Sequence, residues 1–510
     1  MGELLPRYKK AIIDDFIESI SSNTSYYYAF ASNPISLTGG VPELTSDEFT
    51  TIFSSNWKML FGKRISNNNV LPVIRNITWT SNTVYERYDN KNANLYSSSY
   101  YVITPPSTTG GSHEIYMCLD NANGTPSTVK PDIIQPTSFK KSDGYIWRYI
   151  TSVSDADFRD FATNAYAPIY PNNTITIGAS QSSGVDVVVV ANGGSDYRAY
   201  GNGTVQSNPT SNIVQVESTK SQISNFYVNC GIYIYTTGYN TAELKTVTNY
   251  NVNSSGNWVH LDSDANTNNI IPGVTEYIIS PRVVFDTDGN TNPVGYSVVN
   301  TFSNSIHGVV ITETGTNISR ANTYILSGLY GSGANLYSIT PPPGGYGYDP
   351  ASELNIQGMS ISFGFSNNES NTVPTQVHYN RIGIIKNPSV LSANAGKSTL
   401  AWTNTTFSQI LQANISSTGT FNIGDVIVGG TSNATGVVAY SNDSTIYLVG
   451  DKQFSNGEYI TNESGVTSVL TINTLGDIYA KDLEPIYVQN LIDVQRSNSQ
   501  LESYKLIIQV

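Results

Sequence analysis

Tyr145-Ile146-Trp147-Arg148-Tyr149-Ile150 sets an aromatic ring at every second position, directly behind the turn Ser142-Asp143-Gly144. Successive side chains of an extended chain point to opposite faces, so this alternation gives a strand with one aromatic face meant for a core. Upstream, Ile115-Tyr116-Met117-Cys118-Leu119 reads as a second strand, closed by the turn-rich Asp120-Asn121-Ala122-Asn123-Gly124. Composition extends the reading to the whole chain. Of 510 residues 35 are Tyr, and Asn, Ser, Thr and Gly fill much of the rest. Aromatic and β-branched side chains suit a pleated, half-buried surface, while Asn and Gly suit turns that need positive φ. The expected fold class is mainly β, with an α+β N-terminus: a layered β-sandwich core carrying β-rich insertions, one of them a small SH3-like barrel.

Two helices precede the strands. Pro6 suits a first helical turn, and Ile12, Ile13, Phe16, Ile17 and Ile20 recur at helical spacing, with Lys10, Asp14, Asp15 and Glu18 on the other face. Arg7, Lys9 and Lys10 read as a solvated helix face. For the second helix, Thr45 and Glu48 form a capping box, Phe49, Ile52, Phe53, Trp57 and Leu60 form one apolar stripe, and Gly62 is placed to end it. Both stripes are expected to face the core.

The pattern then changes in blocks. Residues 1–175 read as the N-terminal helices and core β region. Residues 176–343 read as a β-rich insertion, with strands at Val185–Val190, Tyr227–Tyr235 and Tyr277–Phe285. Residues 344–395 return to core motifs, and 396–475 form a small barrel whose strands lie near 421–428, 436–440, 446–448 and 458–460. Residues 476–510 close with core strands, ending on the alternating Tyr504–Val510.

Charged residues are 13% of the chain, against about 25% in ordinary globular proteins, and the formal net charge is −13. Binding nucleic acid through its phosphates needs a basic surface, which this balance does not supply. No apolar run approaches the roughly 18–20 residues of a membrane span, and the start lacks a signal-peptide stretch. Cys118 and Cys230, far apart and outside any CxxC spacing, read as free buried thiols in a reducing compartment, a disulfide being unforced.

No local chemistry emerges. His113, His260, His307 and His378 include no HExxH or other close metal-ligand pair, and read as surface or packed side chains. Gly396-Lys397-Ser398-Thr399 mimics the end of a P-loop, but Leu391 stands where the first Gly belongs, so a loop is expected. Asp286-Thr287-Asp288-Gly289-Asn290 resembles the start of a calcium loop, yet Ser297 occupies the position of the bidentate Glu, so a plain hairpin is expected. No GxSxG elbow is present, and no local pair of carboxylates is nominated. The expectation is no enzyme, no catalytic, cofactor-binding or metal-binding residues, and no cofactor.

Several motifs in order resemble the baseplate wedge subunit of T-even-like contractile-tailed phages, the gene-eight product family, in a longer version with insertions. They are Met59-Leu60-Phe61-Gly62-Lys63-Arg64, Thr83-Val84-Tyr85, Tyr88-Asp89, Tyr116–Asn121, Gly124–Val129 and Ser142–Trp147. Pro342-Pro343-Gly344-Gly345-Tyr346-Gly347, Arg381–Pro388 and the ending from Gly476-Asp477-Ile478-Tyr479 follow. The resemblance covers about 1–175, 340–390 and 476–510. It implies a structural virion protein made late and assembled in the host cytoplasm. It also implies a homodimer that joins other wedge proteins around a central hub and helps transmit the trigger for sheath contraction. Nucleic acid, membrane and small-molecule substrate are not expected partners. A carbohydrate- or receptor-binding tail protein is the competing reading, with Trp258 or Trp402 as stacking surfaces.

Overall fold

A computed structural model describes residues 4–22, 24–33, 48–170, 183–237, 242–266, 269–326, 328–366, 369, 373–392, 396–417, 419–450, 453–481, 483–497 and 499–510. The protein is mainly β, with several sheets and one closed barrel. It divides into two compact units: residues 1–73, 160–162 and 357–510, and residues 74–159 and 163–356. The stretch expected as one N-terminal region, 1–175, is therefore shared between them. The cause is strand pairing: 112–120 pairs with 101–104 and 146–154, whereas 27–32 and 59–64 pair with strands far along the chain.

The first unit is a sandwich. One sheet runs in the order 406–408, 59–64, 27–32, 378–386, 485–495, and the second places 358–365 between 502–509 and 70–73. Rings close the space between them. Phe61 from the first sheet meets Phe365 from the second edge-on at 4.9 Å, and Tyr379 meets Tyr504 at 6.4 Å. Where the chain crosses between sheets, fully buried Arg496 pairs with Glu502 at 3.0 Å and lies 5.1 Å from the Phe61 ring. A buried ion is tolerable only when its donors are used, and Arg496 also donates to the Ser366 and Pro374 carbonyls.

Glycines in two motif blocks follow from this packing. A Cβ on Gly62 would overlap the Phe407 ring, and one on Gly383 would overlap the Phe30 ring. Gly62 therefore serves ring packing inside a strand, Met59–Arg64. It does not end a helix, as the sequence led us to expect.

The barrel is an excursion from this unit. Strands 411–417, 426–429, 435–441, 445–450, 459–462 and 467–474 close on one another around Ile427, Val438, Ile446, Leu448, Ile460 and Leu470. Its limits are narrower than 396–475. Residues 397–401 pair with 389–391, and 406–408 belongs to the sandwich. The first and last barrel strands were not expected, because Gln412, Asn414 and Asn473 dilute their apolar alternation.

The second unit holds a four-stranded sheet in the order 101–104, 112–120, 146–154, 139–140. Its core is the aromatic cluster of Tyr85, Tyr116, Tyr145, Trp147 and Tyr149, as the alternation at 145–150 requires. A six-stranded sheet follows, in the order 201–204, 276–281, 230–235, 243–253, 256–261, 213–216, and three two-stranded ribbons complete the unit. No helix among the described residues is long and apolar enough to cross a membrane.

Candidate functional site

The second helix, α2 (Phe49–Trp57), is the feature that departs most from expectation. Two rings of its aromatic stripe face water, Phe49 at 78% and Phe53 at 56% exposure, while Trp57 is half-buried. The rings of Phe49, Phe53 and Trp57, four residues apart, stack in succession at 6.4 and 6.5 Å with interplanar angles of 21°. The helix begins at Glu48 without a side-chain cap, and Thr45 lies outside the described residues.

What turns the helix is the guanidinium of Arg381, buried on strand 378–386. Its Nη1 donates to the Thr51 carbonyl at 3.1 Å, Ser54 Oγ at 3.1 Å and Ser55 Oγ at 2.8 Å. Its Nε donates to Asn490 Oδ1 at 2.8 Å. Burial pulls the Arg381 pKa down from its ordinary value, and among the described residues these neutral oxygens are what hold the charge. The adjacent Asn56 amide donates to the Leu483 carbonyl, and Ser32 Oγ donates to the Ser55 and Lys58 carbonyls at 3.1 and 3.0 Å. The polar run Ser54-Ser55-Asn56 was the sequence signal for this orientation. Arg381 was visible only as part of a motif.

The exposed rings of Phe49 and Phe53 leave on the order of 270 Å² of aromatic surface in water. At about 25 cal/mol per Å², roughly 7 kcal/mol of burial is unrealised. The area falls well short of the roughly 800 Å² that each partner buries in a standard interface, so the ladder suits an anchor within a larger face.

The sequence candidates for chemistry are dispersed. His113 stacks on Phe158 at 3.7 Å and lies 3.3 Å from Asp155, while His378 pairs with Asp493 at 2.7 Å. His260 contacts the Asn251 amide, and His307 lies on the strand Ser305–Glu313. Among the described residues no group of three His, Cys, Asp or Glu is placed to hold a metal. Cys118 and Cys230 are buried and free, and burial raises both thiol pKa values.

Lys397–Ala401 is a strand, where a loop was expected, and it precedes no helix. The expected hairpin at 286–290 is also corrected, because 283–287 pairs with 321–325 across a long connection. Asp288 is spent on that connection. It accepts from the Ser319 and Arg320 amides at 2.9 Å and from Ser319 Oγ at 2.5 Å, and these hydrogen bonds lower its pKa to about 2. Trp402 donates its indole N–H to the Thr406 carbonyl, and Trp258 is half-buried on the six-stranded sheet. Trp402 is half-buried as well.

Two hollows in the second unit share Arg87 and Asn123. One, of about 440 Å³, is lined by residues including Lys140, Asp186 and His307; the other, of about 410 Å³, by Glu86, Asp89, Asn92, Asn121 and Gly124 among others. No protein-family model matches this chain, and no curated protein matches it.

Proposed function

We propose that this protein is a structural, non-enzymatic subunit of a phage tail baseplate wedge, which forms a homodimer and links neighbouring wedge proteins. What supports the reading most is the sandwich of the first unit, in which 27–32 pairs with 59–64 on one side and with 378–386 on the other, and 378–386 in turn pairs with 485–495. The motif blocks Met59–Arg64 and Arg381–Pro388 thereby share one sheet, on either side of 27–32, as expected of one family scaffold interrupted by insertions. The outward aromatic ladder of α2 is a surface suited to such contacts, since aromatic side chains dominate binding hot spots while charged residues are depleted from interface cores.

Light scattering at micromolar concentration, with pull-down of co-expressed tail proteins, tests the proposal. A homodimer that retains wedge partners is expected, and Phe49→Ala with Phe53→Ala should weaken partner binding by tenfold or more, about 1.4 kcal/mol. A monomer that captures none of them would overturn the reading.

A second reading, a carbohydrate-binding tail protein, is favoured by the polar hollow around Arg87, Asp89, Asn92, Asn121 and Asn123, whose amide and carboxylate groups suit sugar hydroxyls. Glycan-array binding lost on Asn123→Ala would support it. No glycan binding at all would remove it.

A further inference from the structure

The barrel joins the sandwich of its unit through a narrow neck, entering at Ser408–Ile410 and leaving at Gly476–Ile478. The two passes are stapled side by side. The Gln409 side chain donates to the Ile478 carbonyl at 2.7 Å and accepts from the Ile478 amide at 3.0 Å. Asp477 accepts from the Ser408 amide through its carboxylate at 2.7 Å, and its own amide donates to the Ser408 carbonyl at 2.8 Å.

Beside this staple lies a cavity of about 370 Å³. The barrel contributes Leu411, Leu448 and Phe454 to its wall, and the sandwich side contributes Leu391 and Ile478. Exposed Lys481 stands at its edge and, among the described residues, forms no ion pair.

Two properties define what fits. The volume is at the small end of the roughly 300–1,000 Å³ of ligand pockets, so it accepts a large apolar side chain and not a length of extended chain. Lys481 is the one charged side chain among the described residues that line the cavity, in a protein whose net charge is −13. Its complement is a carboxylate next to the apolar group.

We propose that this cavity is the docking pocket for a segment of another protein that inserts a large apolar side chain flanked by an acidic residue. Because its walls come from both sides of the neck, the inserted side chain pins the barrel to the sandwich. The proposal does not depend on the baseplate reading.

The test uses the full 510-residue chain with isotope-labelled Leu and Ile methyls, titrated with acetyl-Ser-Phe-Asp-Ser-amide and acetyl-Ser-Phe-Lys-Ser-amide. Expected are saturable shifts confined to Leu391, Leu411, Leu448 and Ile478, with the Asp peptide about two- to fivefold tighter, the scale of one exposed ion pair. Lys481→Glu should reverse that preference. Gln453→Trp, which fills the cavity from its lining, should abolish both responses while leaving distant methyls unmoved. Absence of saturable shifts, equal response to the two peptides, or binding that survives Gln453→Trp would overturn the proposal. So would 4-phenylbutyrate binding as tightly as the Asp peptide, because the occupant would then be a small amphipathic acid and not a protein segment.

Discussion

The two N-terminal helices carry apolar stripes of the same kind and use them in opposite ways. In the first, α1 (Pro6–Ser21), Ile13 and Ile20 are buried, Phe16 packs on Tyr27 with ring centroids 5.0 Å apart, and the Ser19 hydroxyl lies 3.0 Å from the Tyr27 hydroxyl. In α2 Phe49 and Phe53 of the stripe face water, and Thr51, Ser54 and Ser55 face inward to Arg381. Periodicity says that a face exists; it does not say which way the face points. Beneath α1 the strand offers an aromatic surface. Beneath α2 it offers a guanidinium.

Magnitudes show why the guanidinium prevails. Turning the ladder inward would recover about 7 kcal/mol of burial. It would also forfeit three hydrogen bonds to a charged group, worth about 1.5–3 kcal/mol each, and leave several kcal/mol of desolvation uncompensated. The two sums are of similar size before the desolvation cost is added, and that cost decides the orientation.

The comparison would break most visibly on removing the charge. Arg381→Leu should cost about 3–5 kcal/mol in urea denaturation, since the oxygens gathered around the guanidinium lose their donor. It should also let α2 roll inward, read as a blue shift of Trp57 emission in a chain whose other tryptophans are replaced. An unshifted spectrum would mean that something other than Arg381 sets the orientation.

On the other helix, Ile13→Ala should cost about 2–4 kcal/mol, because Ile13 is fully buried. The same truncation at Phe49 or Phe53 should change stability by no more than about 0.5 kcal/mol each, although a larger side chain is removed. Equal losses at Ile13 and Phe53 would erase the contrast between the helices.

The second unit offers a subtler version, read as a slope against pH. Glu353 is enclosed and accepts from the Gly347 and Asp349 amides at 2.7 and 2.8 Å, yet burial outweighs these bonds and raises its pKa to about 7. Arg381 gathers enough neutral oxygens to stay charged; Glu353 gathers too few donors to ionise at its ordinary pH. A carboxyl whose pKa is raised on folding contributes stability that is complete below its ordinary value of 4.5 and is lost as pH rises through 7. Relative to Glu353→Gln, the wild type should therefore lose stability between pH 4.5 and 7 in parallel melts. A flat difference would show that Glu353 stays ionised throughout.

Much of the architecture was legible locally. The alternation at 145–150 placed Tyr145, Trp147 and Tyr149 in one core, and the β-branched, turn-punctuated text after residue 400 marked a barrel. Both signals come from neighbouring residues whose side chains share a face, and a strand imposes that period wherever it is packed. What remained hidden depended on residues far apart in the chain. Arg381 lies 330 residues from Thr51, whose carbonyl it holds, and Gly62 is glycine because Phe407 packs over it. The sequence by itself determined the mainly β class, the two N-terminal helices and many of the strands, with an apolar face on each helix. Only the tertiary structure decided which of those faces met protein and which met water, because that choice depends on what buried polar groups across the fold require.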